Sequence, residues 1–337
     1  MKAAIQTRFG APEVIQIQEV ERPVAGRGQI LVQVHASPVT QGDRRLRAAD
    51  FPGLSAVIGR LMFGVFRPRN PILGTMFAGR VVAVGEGVTR FGIGDDVFGS
   101  CDHSAAAEYL AVAEDGPVAN IPTGVEYDEA AAVPYGAVTA LVFLRDIARV
   151  QPGEKVLIIG ASGGVGRFAV QLARHLGARV TGVCSARNMA MVTELGAAQV
   201  IDRATTDYTQ NGETYDVIFD TSSGDRFRVS KRSLSPKGRY VTVYMNLPVL
   251  LQMLVTRIFG GREVRASVAI GTQKLTHDVA ELLAKRAIWP VLAKGYPLAQ
   301  IADAHHAVET GRTAGTVVVA VSEAVRSKPF REAAVAA

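Results

Sequence analysis

Glycines at 160, 163 and 166 are the residues whose spacing most plainly serves a chemical purpose in this chain. They sit in Gly160-Ala161-Ser162-Gly163-Gly164-Val165-Gly166, directly after the β-branched run KVLIIG and before an apolar-periodic run, FAVQLARHLG. Glycine at such positions lets the chain turn tightly, lets a pyrophosphate approach the backbone and lets a helix close on the sheet. The start of that helix offers unpaired N–H groups and a positive dipole end to phosphates. Gly160, Ser162, Gly163, Gly164, Val165 and Gly166 are therefore candidate dinucleotide-binding residues.

The next strand bears on which dinucleotide. A carboxylate about 20 residues on would bond the adenosine ribose hydroxyls of NAD. This chain instead reads Cys184-Ser185-Ala186-Arg187-Asn188, with no acid. Ser185 can donate to a 2′-phosphate and Arg187 can pair with it through a charge-assisted bond. Ser185, Arg187 and Asn188 thus point to NADPH rather than NADH.

These residues need elements to hold them. Strand-like runs alternate with helical ones from KVLIIG through ARVTGVCS, AQVID, YDVIFDTS and GRYVTVY, which predicts a doubly wound parallel sheet. The first 120 residues read differently, as short β-rich runs such as QILVQVHA and GRVVAVG punctuated by Gly and Pro. After residue 265, HDVAELLAKRAI and AQIADAHHAVETG look helical and GTVVVAV looks like a last strand. The expected organisation is α/β in two domains. Residues 1–122 form the β-rich one, 123–265 the NADPH-binding one, 266–322 a segment returning to the first, and 323–337 a flexible tail.

At 337 residues, 48% hydrophobic and 20% charged, the chain is long enough for two cores and too apolar for a disordered protein. Thirty-seven basic against 31 acidic residues leave +6, spread over several small arginine clusters, so no nucleic-acid surface is expected. Two distant cysteines, Cys101 and Cys184, give neither a disulfide framework nor a four-thiolate zinc lobe. MKAAIQTRFG lacks the apolar core of a secretory signal, and a cytoplasmic location is expected. The apolar stretch Val241–Phe259 is interrupted by Asn246, Pro248, Gln252 and Arg257. It reads as a strand end, a turn and a helix buried against a neighbouring element or subunit, with peripheral membrane contact as the alternative and no transmembrane span.

Several segments in order carry a family resemblance: PILGTMFAGRVVAVGEGVTRFGIGDDVFG, AAVPYGAVTAL, IIGASGGVGRFAVQLARHLGA, YDVIFDTSSG and AVETGRTAGTVVV. Over about 1–321 the chain resembles the zinc-independent quinone oxidoreductase branch of the medium-chain dehydrogenase/reductase superfamily. That resemblance implies a GroES-like β-barrel domain beside a Rossmann domain, and a homo-oligomer joined through Rossmann sheet edges, which offers the 247–259 region a role. It also implies that Thr139 lies near the nicotinamide and that Thr221 and Ser222 follow a strand end beside the cofactor ribose. Zinc-dependent members carry a cysteine near Gln41 and a His-Glu pair after the glycine matching Gly74. Gln41, Thr75 and Met76 stand there instead, and none is a usual zinc ligand. His305 and His306 are adjacent and point to different helix faces, so no metal site is expected there.

Three departures from the family pattern accompany this: Thr40 where Asn is usual, Thr316 where Lys is usual, and no acid near Met76 or Phe77. Thr40, Asp43 and Tyr135 are the candidate catalytic residues. Asp43 is expected to hold an arginine rather than transfer a proton, and Tyr135 can equally be a packed aromatic. The implied activity is NADPH-dependent hydride delivery to a quinone or α,β-unsaturated carbonyl substrate. The alternatives are an enoyl-thioester reductase and a non-catalytic NADPH-binding sensor or interaction protein.

Overall fold

A computed structural model describes residues 1–50, 55–222, 226–311 and 313–322. The tail expected over 323–337 lies outside the described residues. The chain divides into two compact units, one from Met1–Tyr135, Gly271–Lys285 and the chain from Trp289, the other from Gly136–Ile270 with Arg286–Ile288.

The N-terminal strands are β1 (Lys2–Ile5), β2 (Gln16–Glu19), β3 (Gln29–Val39), β4 (Met76–Val84), β5 (Asp96–Ser100), β6 (Tyr109–Ala113) and β7 (Val118–Asn120). The second unit holds β8 (Lys155–Ile159), β9 (Arg179–Cys184), β10 (Gln199–Asp202), β11 (Tyr215–Asp220), β12 (Leu234–Thr242) and β13 (Glu263–Ala266). The chain then adds β14 (Tyr296–Pro297) and β15 (Val317–Ala320) to the first unit.

In the first unit β1 and β2 form a small antiparallel pair, while seven strands make a mixed sheet in the order β14-β15-β3-β4-β5-β7, with β6 also on β3. The 11-residue β3 organises it: Gln29–Gln33 pair with β6, and Ala36–Val39 pair with β15. Its apolar face packs with Phe77, Val81, Val97, Leu110, Val317 and Val319 into one core. The helix Gln41–Ala48 leaves directly from the end of β3, which fixes where its first turn lies.

All six strands of the second unit are parallel, in the order β10-β9-β8-β11-β12-β13. Counted along the chain this is 3-2-1-4-5-6, the doubly wound arrangement that binds a ligand where the order reverses, beside its first strand. KVLII is apolar almost throughout because both faces of a central parallel strand are covered. The helix Gly164–His175 buries every residue from Gly166 to Ala173, Arg167 and Gln171 included.

Among the described residues no helix is long and apolar enough to cross a membrane. Val241–Phe259 resolves into the end of β12, a turn, and the helix Leu247–Phe259, capped by Asn246 Oδ1 accepting from Val249 N at 2.9 Å. The expected burial against a neighbouring element holds along one narrow face, through Val249, Met253 and the bond from Val264 N to Thr256 Oγ1. Leu247, Leu250, Leu251, Leu254, Ile258 and Phe259 point outward and are exposed. Too few of this helix's apolar positions fit the face toward β13 for the unit to bury the rest.

Candidate active site

In the second unit the glycine turn is a cradle closed by backbone. Gly160 adopts φ +78°, and a Cβ there would stand 2.8 Å from Thr221 Oγ1. A Cβ on Gly166 would stand 2.1 Å from the Gly160 carbonyl oxygen, which no side chain tolerates. Gly163 is the N-cap and Gly164 and Val165 begin the helix, so the first-turn N–H groups have no intrahelical acceptor. Beneath them the buried Arg167 donates from Nη1 to the Ser162 carbonyl at 3.1 Å, and burial lowers its pKa to about 10. The residues present fit a dinucleotide pyrophosphate: glycine where a methyl would collide, free N–H groups, and a helix start.

Two backbone bonds, from Gly160 N and Ala161 N to the Val183 carbonyl at 3.1 and 3.0 Å, tie the turn to the end of β9. Ser185 and Asn188 follow there, with Asn188 Nδ2 donating to Ser185 Oγ at 3.2 Å, and Arg187 is exposed. On the other side of β8, Thr221 Oγ1 donates to the Ile159 carbonyl at 2.8 Å. Ser222 donates to Asp220 Oδ1 from its amide at 2.9 Å and from its hydroxyl at 2.5 Å. Thus Gly160, Ser162, Ser185, Asn188, Thr221 and Ser222 gather at the ends of three adjacent strands. Thr139 is half-buried on the helix Pro134–Leu141.

Asp220 is a residue that motif reading passed over. It is fully buried, accepts from Tyr240 OH at 2.7 Å, and burial holds its pKa above the usual carboxylate range. It fixes the bend after β11 that carries Thr221 and Ser222. Its signal was an acid ending an apolar strand; its tyrosine partner lies 20 residues on.

The first unit brings Thr40 and Asp43 together and adds Thr75. Thr40 caps the helix Gln41–Ala48, with Asp43 closing a reciprocal capping box. The Asp43 carboxylate accepts from Thr40 N at 2.8 Å, Thr40 Oγ1 at 2.5 Å and Thr75 Oγ1 at 2.8 Å. Burial raises its pKa against the lowering effect of those donors. The expectation that Asp43 holds an arginine is corrected: Arg44 bonds Gln41 and Asp50, while Arg47 is drawn to Glu309 and the Gly10 carbonyl. Helical geometry explains this, because Asp43 points into the fold beside its own N-cap. Tyr135 lies in the same unit, half-buried, with its ring edge against Gly42 and its pKa raised by burial.

At the positions where zinc ligands would stand, Gln41 Nε2 donates to the Val308 carbonyl and Thr75 is committed to Asp43. His305 is buried while His306 is exposed against Glu13 at 2.7 Å. Among the described residues no group of three or more His, Cys, Asp or Glu could hold a metal ion.

Two family models match the chain: an alcohol dehydrogenase GroES-like domain over residues 26–142 and a zinc-binding dehydrogenase model over 195–319. A chloroplastic quinone-oxidoreductase homolog of Spinacia oleracea is 30% identical over 302 residues, covering 84% of this chain and 92% of that one. The chain belongs to the medium-chain dehydrogenase/reductase superfamily. A mitochondrial NAD(P)H oxidoreductase of Bos taurus is 27% identical over 355 residues, covering 95% of this chain and 89% of that protein. Among solved structures, the quinone oxidoreductase from Coxiella burnetii superposes with a TM-score of 0.84 at 28% identity, covering 96% of this chain and 99% of that one. The mixed sheet and the parallel sheet of this chain are the GroES-like and Rossmann domains of that superfamily.

Proposed function

We propose that this protein is a zinc-independent reductase that uses NADPH to reduce a quinone or an α,β-unsaturated carbonyl. The observation that carries the reading is the glycine cradle, with Ser185, Arg187 and Asn188, in place of a carboxylate, beside it. When bound, NADPH supplies the hydride. Gly160, Ser162, Gly163, Gly164, Val165 and Gly166 hold its pyrophosphate. Ser185, Arg187 and Asn188 would bind the 2′-phosphate, Thr221 and Ser222 would lie beside a cofactor ribose, and Thr139 would lie on the nicotinamide side.

For a quinone the balance is one hydride and one proton added to the acceptor, giving a hydroquinone and NADP⁺. The acceptor delocalises the incoming charge onto oxygen, so no Lewis acid is needed to develop it. Proton delivery then falls to solvent or a hydroxyl. Tyr135 is the first-unit hydroxyl suited to that task, while Thr40 and Thr75 donate their O–H to the buried Asp43 and offer an acceptor an oxygen rather than a proton. Asp43 itself orients them.

The relatives named quinone oxidoreductases support the acceptor class. The cytoplasmic, homo-oligomeric form of the enzyme is part of the same proposal. β13 is an edge strand of the parallel sheet, and the helix beside it presents Leu250, Leu251 and Leu254 outward.

NADPH consumption with a panel of quinones, enones and enoyl thioesters tests the reading. Stoichiometric NADPH oxidation with quinones or enones is expected. Turnover confined to enoyl thioesters would move the assignment to that substrate, and tight NADPH binding without turnover of any acceptor would make the protein a sensor.

A further inference from the structure

The first unit contains a pocket that the nucleotide site leaves unexplained. Phe9, Leu46, Met62, Phe63, Ile72 and Leu73 supply its apolar walls. Asp43 and Thr75 line it together, joined by their hydrogen bond. Gln6, only 4% exposed, lines it too, and its buried Oε1 has no hydrogen-bond partner among the described residues. A buried amide left unsatisfied is costly, so a donor brought into the pocket within reach of Gln6 would gain a hydrogen bond there. The segment that forms one wall continues into the open: Leu61, Met62, Val65 and Phe66 are exposed large apolar side chains, Phe66 at 93%. Between residues 51 and 85 there is no acidic residue.

We propose that this pocket seats the acceptor, and that the acceptor is amphiphilic, with an oxygen-bearing ring at Gln6 and Thr75 and a lipophilic tail passing Met62 and Phe63. This rests on the reductase reading above and narrows it to quinones carrying an alkyl or isoprenoid-like chain. An amide suits both oxidation states of such a ring: its N–H₂ donates to a quinone carbonyl, and its oxygen accepts from a hydroquinone O–H. The apolar walls take the ring faces and the first methylenes of the tail, and the exposed apolar segment shields the tail beyond them.

The test is steady-state kinetics with NADPH and a series of benzoquinones bearing no tail, a short tail and a decyl tail. KM should fall by at least about tenfold from the tail-free ring to the decyl quinone, since each buried methylene contributes a severalfold gain. Met62→Asp, at an exposed wall position, should abolish most of that gain. Gln6→Leu should raise KM for every quinone severalfold while leaving thermal stability equal or higher, because it removes an unsatisfied buried amide. A lower melting temperature with unchanged KM would make Gln6 merely structural and overturn the proposal. Turnover of all quinones with KM independent of tail and of both substitutions would overturn the pocket assignment and leave the reductase reading standing. Failure to turn over any acceptor would overturn both.

Discussion

A single methyl group at Gly166 would break the glycine turn, because a Cβ there would meet the Gly160 carbonyl at 2.1 Å. Arg187 has the opposite character, an exposed cation in the turn that follows β9. The two substitutions therefore separate shared from discriminating binding. Gly166→Ala should weaken NADPH and NADH alike, whereas Arg187→Ala should cost NADPH about 1.5–3 kcal/mol and leave NADH nearly unchanged. Titrations of both cofactors against both variants check this, and equal losses at Arg187 would remove it from the 2′-phosphate. The positions of zinc ligands in relatives give a second expectation, because Gln41, Thr75 and Met76 offer neither thiolate nor imidazole. Protein purified without chelator should hold substoichiometric zinc by metal analysis; one tightly bound zinc per chain, lost together with activity, would contradict it. Residues constrained by near neighbours were legible in the sequence: the glycine turn announces itself because its limits are set within seven residues. The Asp43–Thr75 bond spans 32 positions and Asp220–Tyr240 spans 20, so no local pattern could report either. The arginine expected on Asp43 fails for two reasons: Arg44 is taken by its close neighbours Gln41 and Asp50, and Arg47 by the distant Gly10 carbonyl and Glu309.

The helix Ile301–Glu309 ties the returning chain to the first unit through groups with unusual titration. Fully buried Arg47 pairs with Glu309, and His305, turned inward at 1% exposure, has its pKa lowered to about 3 by burial and by the Arg47 charge. Between about 3 and the ordinary value of 6.5, the unfolded chain protonates this imidazole and the folded one does not. Unfolding then takes up a proton, so stability falls as pH drops through that window, with a limiting slope of about 1.4 kcal/mol per pH unit. Melting temperatures followed from pH 7.5 to 4.5 should show a steeper acid loss in the wild type than in His305→Gln. Equal slopes would show that His305 does not carry the effect. The element expectations fared unevenly for a physical reason. Buried parallel strands such as KVLII read clearly because both faces are covered, whereas the helix Leu247–Phe259 is equally apolar and yet faces outward. Hydropathy reports that a surface will be covered, and not by what.

At the scale of the whole molecule that outward face sets the next expectation. The helix Leu247–Phe259 lies against β13 at the open edge of the parallel sheet, an arrangement suited to a second copy of the chain. Scattering-coupled size-exclusion chromatography should show an oligomer for the wild type and a monomer for Leu250→Glu with Leu254→Glu; a monomeric wild type would contradict this. The proposed reaction rests on a nucleotide cradle in a chain whose described residues offer no metal-holding group of His, Cys, Asp or Glu. Alcohol oxidation must remove a proton as well as a hydride, and nothing at Gln41, Thr75 or Met76 can lower an alcohol's pKa as a metal does. A conjugated acceptor needs only hydride delivery followed by an easy protonation. The most direct test sets NADPH with quinones and enones beside NADP⁺ with primary and secondary alcohols, on the same enzyme preparation. Quinone or enone reduction should proceed and alcohol oxidation should be slow or absent. Faster oxidation of a simple alcohol than reduction of any quinone or enone would contradict the account.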